Sequence, residues 1–370
     1  MGIYLDFNAS APIAPEVAAV MRPFLDSHFG NPSSGHWAGR PAREAVETAR
    51  GEIASLLQCH ADEVLLTSGG SEANNHAIKG TVLSASSPTP HLITTAVEHP
   101  SVIEPCRFVA RFGARVTTVS VDRHGCVDPD DIRRAITPET VLISVMHANN
   151  EVGTIQPIAA IAGIAREHGI LCHTDAAQSV AKIQTRVDEL GVDLLSIAGH
   201  KLYAPKGIGA LYVRRGVTLV PLIHGGGHEG GRRAGTECAL LAAGLGAACR
   251  LAEMNPSGEA LLALRTRFWA GLREAFGERV VLNGHPTERL PNTLSVAFPG
   301  QFGDDILARL DGVSASTGSA CHTGIRTLSP VLAAMGTSTD VGLGTIRFSV
   351  GRTTTDAEID QVVHQLEGYV

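Results

Sequence analysis

The chain lacks most of the features that would place it outside ordinary globular enzymes. Its seven cysteines are odd in number and dispersed, and no two stand in a CxxC spacing. That argues against a disulfide framework and against a cysteine-rich zinc knuckle, and no metal site is expected. There is no basic excess: 30 Lys and Arg stand against 37 Asp and Glu, for a formal charge of −7. Nothing there calls for a nucleic-acid partner, and the pairs Arg133–Arg134, Arg214–Arg215 and Arg232–Arg233 are the longest basic clusters. No apolar run reaches the ~18 residues that would span a bilayer. The opening MGIYLDFNAS has no basic stretch leading into an apolar one, so no signal peptide is expected. Also missing are a GxGxxG fingerprint, a GK[ST] phosphate loop, internal repeats and low-complexity linkers. These absences together favour a cytoplasmic protein of a reducing compartment.

What is present suits a large buried core. Of 370 residues, 44% are hydrophobic and 18% charged. That is enough chain for one large domain with a smaller companion, or for two medium ones. Short apolar runs alternate with helical patterns. Strands are expected at Val64–Thr67, Leu92–Thr95, Arg115–Val119, Val141–Met146, Ile170–Thr174, Leu194–Ile197 and Ala210–Val213. Several are continuous rather than alternating, as in a sheet covered on both faces. Helices are expected at Ala38–Leu57, Ser71–Gly80, Ser101–Arg111, Pro157–His168 and Ala239–Ala252. The alternation favours a mostly parallel α/β sheet. Beyond about residue 255 the pattern becomes α+β. It comprises a long helix at Leu261–Phe276, strands at Leu294–Ala297 and Thr345–Ser349, a Gly- and Ser-rich loop at Val313–Gly324, and a closing helix at Thr355–Leu366.

Four stretches could carry chemistry. Thr67-Ser68-Gly69-Gly70-Ser71-Glu72-Ala73-Asn74-Asn75 follows a strand and opens a helix, so its free amides and the Ser71 hydroxyl make either an anion site or a plain capped turn. In His173-Thr174-Asp175-Ala176-Ala177-Gln178, Asp175 falls at a strand end, where α/β sheets bind ligands. An acid there can pair with a protonated heterocyclic nitrogen or be an incidental loop acid. In Ser196-Ile197-Ala198-Gly199-His200-Lys201, Lys201 follows a strand among small residues and could form a Schiff base or simply face solvent. Ser316-Thr317-Gly318-Ser319-Ala320-Cys321-His322-Thr323-Gly324 sets one cysteine in a polar, Gly-rich loop, where an accessible thiol can act as a nucleophile. Movement of residues 316–326 is expected, because such a loop has few apolar contacts to hold it.

Taken together these motifs resemble the class V aminotransferase superfamily of pyridoxal phosphate (PLP) enzymes, and within it the NifS/IscS-like cysteine desulfurases. TSGGSEANN, EHPS, HANNEVG, HTDAAQ, GHK, GGGHE…AGTE, STGSACHTG and TIRFSVGR occur in the family's order across residues 4–366. The resemblance implies a PLP-dependent transferase of fold type I. A large domain (13–250) would hold a mainly parallel seven-stranded sheet. A small α+β domain (1–12 and 251–370) would carry the cysteine loop. It implies that Lys201 carries PLP, that Asp175 pairs with the pyridine nitrogen, and that His99 lies against the ring. Gln178 would bond the ring oxygen, Asn150 would approach the ring oxygen or the substrate, and Gly70, Ser71 and His200 would hold the phosphate. Thr236 would reach the phosphate of the neighbouring subunit's site in a homodimer. Arg347 would clamp the substrate carboxylate, and Asn31, in Gly30-Asn31-Pro32-Ser33-Ser34, would border the substrate.

The activity so implied is conversion of L-cysteine to L-alanine with a persulfide on Cys321. The sulfur would pass to an acceptor protein such as an iron–sulfur scaffold, a thiolation enzyme or a carrier. LCHTDAAQ, the apolar residue before GHK and ACHTG are equally similar to selenocysteine lyases, which leaves release of selenide and alanine as the alternative. Three departures stand out. Ala198 replaces a phosphate-binding serine, and Gly230 replaces the arginine of the GGGxERxxR pattern. The stretch after Cys321, ending at Val370, is shorter than the tail with which housekeeping members dock their scaffold, so that docking mode is not expected.

Overall fold

The computed structural model describes residues 2–317, 319–322 and 325–369, with 319–322 and 325 described by their backbone. A seven-stranded sheet forms the centre. Its spatial order is Val64–Thr67, Gly209–Val213, Leu194–Ala198, Leu171–Asp175, Thr140–Ser144, His91–Thr95 and Arg115–Val119. Gly209–Val213 runs antiparallel to both neighbours, and the other pairings are parallel. The inner strands are buried almost throughout, with only Val141 and Leu171 partly exposed. This is why they read as unbroken apolar runs: helices cover both faces.

Packing on one face centres on the helices Arg40–Leu57 and Ala239–Met254 with Ile53, Leu57, Leu245 and Cys249. On the other, Gly70–Ser84 and Pro100–Ala110 contribute Ala73, Ala77, Ile78, Val102 and Val109. Strand Gly209–Val213 comes so close to the start of helix Gly70–Ser84 that a Cβ on Gly209 would lie 2.7 Å from the Gly69 Cα. Gly69 itself has φ +151°, a backbone that side-chain-bearing residues avoid. These two glycines let the helix begin directly above the strand ends.

A second core gathers Leu261, Phe268, Leu294, Val296, Ile346, Phe348, Ile359 and Leu366, joined by Ile3 and Leu5 from the other end of the chain. Its sheet is antiparallel, in the order Ser316–Thr317, Thr345–Ser349, Thr293–Ala297, Val281–Leu282. Ile3–Tyr4 pairs in parallel with Val313–Ser314. The described residues of the stretch read from sequence as a loop at 313–324 are thus largely extended, because they find strand partners. Ser316 pairs with Arg347, and the backbone of Ser319–His322 pairs antiparallel with Ile325–Leu328. Strand formation here follows tertiary pairing rather than local composition. The expected movement of the thiol concerns the Cys321 side chain, which lies outside the described residues.

Candidate active site

The carboxyl ends of the parallel strands open into a cavity of ≈ 400 Å³. Gly70, Ser71, His99, Asn150, Asp175, Gln178, His200, Lys201 and Arg347, all singled out from the sequence, line it. Asp175 is the last residue of its strand, and its neighbouring strand ends at Ala198, just before the short turn Gly199–Lys201. Strand ends that are adjacent in the sheet therefore deliver the acid and the amine to one place. Arg347 enters from the smaller sheet, midway along Thr345–Ser349.

At one end of the cavity, helix Gly70–Ser84 presents its free N-terminal amides beside Ser71 and His200. That is an anion cradle by backbone dipole and hydrogen-bond donors. Burial pulls the His200 imidazole down to about 4, with Lys201 and Lys206 adding to the effect, so it is neutral at physiological pH. Ala198 also faces this cradle: a Cβ on Gly70 would stand 3.2 Å from the Ala198 Cβ.

Deeper in, the Asp175 carboxylate is held on both oxygens. The Ala177 amide donates to Oδ1 (2.9 Å) and Asn74 Nδ2 to Oδ2 (2.7 Å). Lys201 Nζ donates to the carbonyls of Asn8 (2.5 Å) and Ala9 (2.9 Å). Burial lowers its pKa to about 8, reinforced by the Arg347 charge and opposed by Asp175 and Asp6. Gln178 Nε2 donates to the Asn8 carbonyl (2.9 Å), while its Oε1 accepts from Lys182 Nζ (3.1 Å). The amide is thereby held at both its nitrogen and its oxygen.

Arg347 is the far wall. Its Nη2 donates to Asp6 Oδ1 (2.6 Å) and its Nη1 to the Asn150 carbonyl (2.9 Å), while Nε is buried with no partner among the described residues. Asp6 Oδ1 also accepts from Ser316 Oγ (2.9 Å), the cross-strand neighbour of Arg347. Ser316 lies five positions before Cys321, so the strand leading to the cysteine departs from the wall that Arg347 forms.

The structure leaves two of the expected residues outside this cavity. Thr236 lines a separate one of ≈ 170 Å³ with Ser68, Glu229 and Arg233. Asn31 sits in a surface turn, where its Oδ1 accepts from the Ser33 amide. At the other sequence departure, Gly230 adopts φ +66°, which glycine tolerates best. Two other arginines act nearby: Arg233 pairs with Glu72 in the first turn of helix Gly70–Ser84 (2.9 Å), and Arg50 makes a buried two-pronged contact with Glu229.

Sequence reading missed Asp6, Asn8, Asn74 and Ser101. Asn74 and Ser101 lie inside the quoted TSGGSEANN and EHPS stretches, but only the fold shows that they face the site. Five of the other cysteines contrast with an active one, being buried or half-buried. Burial pushes Cys59 and Cys106 up to about 12, and also raises Cys126, Cys172 and Cys249.

Comparison with known proteins agrees with this geometry. The family model described as Aminotransferase class-V matches residues 3–362. The chain is 47% identical over 369 residues to "Cysteine desulfurase IscS" of Dictyoglomus turgidum, covering 99% of this chain and 93% of that protein. Among solved structures it superposes on a "NIFS-like protein" with TM-score 0.93 at 33% identity, covering 100% and 99% of the two chains. It also superposes on "SspA in complex with cysteine" with TM-score 0.85 at 39% identity, covering 94% and 98%. The chain therefore belongs to the aminotransferase class-V family, in its NifS/IscS-like cysteine desulfurase group, with the fold type I architecture and the pyridoxal phosphate dependence of that family.

Proposed function

We propose that the protein is a cysteine desulfurase that converts L-cysteine to L-alanine and carries the sulfur as a persulfide on Cys321. The observation that bears most weight is the convergence of Lys201, Asp175, Arg347 and the start of helix Gly70–Ser84 in one cavity. The residues present fit pyridoxal phosphate: an anion cradle at one end, a doubly held carboxylate, and a half-buried amine between them. When bound, the cofactor supplies an electrophilic carbon for the substrate amine and a sink for the electron pair left at Cα.

The chain's own groups do the rest. Asp175, its carboxylate fixed as an acceptor, would hold a proton on the heterocyclic nitrogen of the bound cofactor. Lys201 Nζ, with its pKa brought down to about 8, has an accessible neutral form near physiological pH and can take up and return a proton. The planar guanidinium fork of Arg347, which lines the cavity, suits the substrate carboxylate. The Cys321 thiolate attacks the substrate sulfur, forming an S–S bond as the substrate's Cβ–S bond breaks. The bonding pair stays on carbon, and a proton completes the methyl group of alanine. An acceptor protein then receives the outer sulfur. Thr236, outside the cavity of its own chain, is assigned to the site of a second copy in a homodimer.

Incubation with L-cysteine and a reductant should give equal alanine and sulfide. A Cys321→Ser protein that turns over free cysteine at the wild-type rate would refute the persulfide step. The ratio of kcat/KM for L-selenocysteine and L-cysteine decides between desulfurase and selenocysteine lyase. Sedimentation at micromolar concentration should give the mass of two chains.

A further inference from the structure

A hydrogen-bonded chain under the cavity joins two residues on different elements. Asn74, on helix Gly70–Ser84, is fully buried. One of its Nδ2 hydrogens goes to Asp175 Oδ2 (2.7 Å) and the other to Ser101 Oγ (2.8 Å). Ser101 Oγ is in turn 2.7 Å from His99 Nδ1. The Ser101 amide also donates to that nitrogen (3.1 Å), so Nδ1 is an acceptor and the neutral imidazole carries its proton on Nε2. With Nδ1 an acceptor, the Ser101 hydroxyl gives its hydrogen to His99 and receives one from Asn74.

The amide orientation is unambiguous. Turned over, Asn74 would set its oxygen against the Asp175 carboxylate and lose both donors. In the present orientation Oδ1 is buried without a partner among the described residues, a cost the structure tolerates for the sake of the two Nδ2 bonds. Among the described residues Asp175 has one other fixed donor, the Ala177 amide on Oδ1. Without Asn74 its second oxygen would be free to turn.

We infer that Asn74 and Ser101 form one positioning unit, in which Ser101 fixes Asn74 and Asn74 fixes the Asp175 carboxylate, with His99 tied to the far end of the same chain. This deepens the reading above and rests on it for the role of Asp175. It does not depend on whether cysteine is the substrate.

The test is a double-mutant cycle on cofactor affinity. Pyridoxal phosphate is stripped from the wild type, Asn74→Ala, Ser101→Ala, Ser101→Thr and the double alanine variant, then titrated back, with far-UV circular dichroism to confirm folding. Asn74→Ala should weaken binding by about 10- to 100-fold, the range of one hydrogen bond to a charged group. Ser101→Ala should weaken it less, and Ser101→Thr, which keeps the hydroxyl, should restore it. The double variant should match Asn74→Ala alone, because the two act as a unit. The induced circular dichroism of the bound cofactor should fall in the same order. Asn74→Ala binding within twofold of the wild type would overturn the inference, as would simple additivity of the two losses. Should Asn74→Ala fail to fold, the contrast between Ser101→Ala and Ser101→Thr decides. Absence of alanine production from cysteine would instead overturn the desulfurase reading and leave these affinities interpretable.

Discussion

Ala198→Ser tests the anion cradle by adding to it. Ala198 is 4% exposed, ends its strand, and faces Gly70 closely enough that a Cβ there would sit 3.2 Å from its own. The cradle already holds the helix amides, Ser71 and the neutral His200, and it lacks a hydroxyl at this corner. A hydroxyl bonded to a charged phosphate contributes about 1.5–3 kcal/mol. The low end of that range, about 1.5 kcal/mol, corresponds to roughly tenfold in cofactor affinity. The added oxygen is small enough to sit beside Gly70, which has no side chain to displace. Affinity is measured by titrating pyridoxal phosphate into stripped wild-type and variant protein, with urea unfolding of both to confirm equal stability within about 1 kcal/mol. Ala198→Val, which is larger and has no donor, should weaken binding. A serine variant that binds no more tightly than wild type would show that position 198 does not face the phosphate.

Other predictions follow from single residues. Arg347→Lys keeps the charge but loses the fork, so KM for L-cysteine should rise about tenfold or more while kcat falls less; an unchanged KM would remove Arg347 from carboxylate binding. Glu98 is buried, accepts from Thr95 Oγ1 and the Met146 amide, and is pushed up to about 8 by desolvation. A raised carboxyl pKa stabilises the fold below the ordinary value near 4.5, and that contribution drains away as pH rises toward 8. Glu98→Gln should therefore gain stability relative to wild type between those limits in urea unfolding, and parallel pH profiles would refute the assignment. Gln58 is exposed and caps helix Arg40–Leu57 with φ +54°, a left-handed conformation that costs a side-chain-bearing residue about 1 kcal/mol. Gln58→Gly should raise the unfolding free energy by roughly a few tenths of a kcal/mol, after the added freedom of the unfolded chain is counted, and so raise the urea midpoint; a lowered midpoint would contradict this.

The sheet was largely legible in the sequence. Val64–Thr67, Arg115–Val119 and Thr345–Ser349 fall where the apolar runs predict, and the other strands differ by a residue or two. Burial on both faces leaves a continuous apolar signature that needs no knowledge of neighbours. The cofactor-facing residues were legible through ordered motifs, and nine of them share one cavity. What stayed hidden depends on partners far along the chain. Ser316 and Thr317 become strand only because residue 347 lies alongside. Asp6 and Asn8 acquire their roles by touching Arg347, Lys201 and Gln178, more than 160 positions away. Asn74 looks like any polar helix residue until Asp175 and Ser101 are seen on either side of it.

The threading of the first residues into the last-made sheet has a consequence for the order of assembly. Ile3–Tyr4 pairs with Val313–Ser314, and Asp6 meets Arg347. On the ribosome, a segment made at the start must wait for some 340 further residues, roughly 20–70 s at ordinary elongation rates. During that wait the large sheet can form and bring Lys201 to Asp175. The wall bearing Arg347 and the carbonyls of Asn8 and Ala9 cannot both be in place until residues 345–349 have been made. The closed site therefore waits for that strand, and a truncated product that ends before residue 345 would fold around an amine and an acid with no Arg347 wall to close over what they bind.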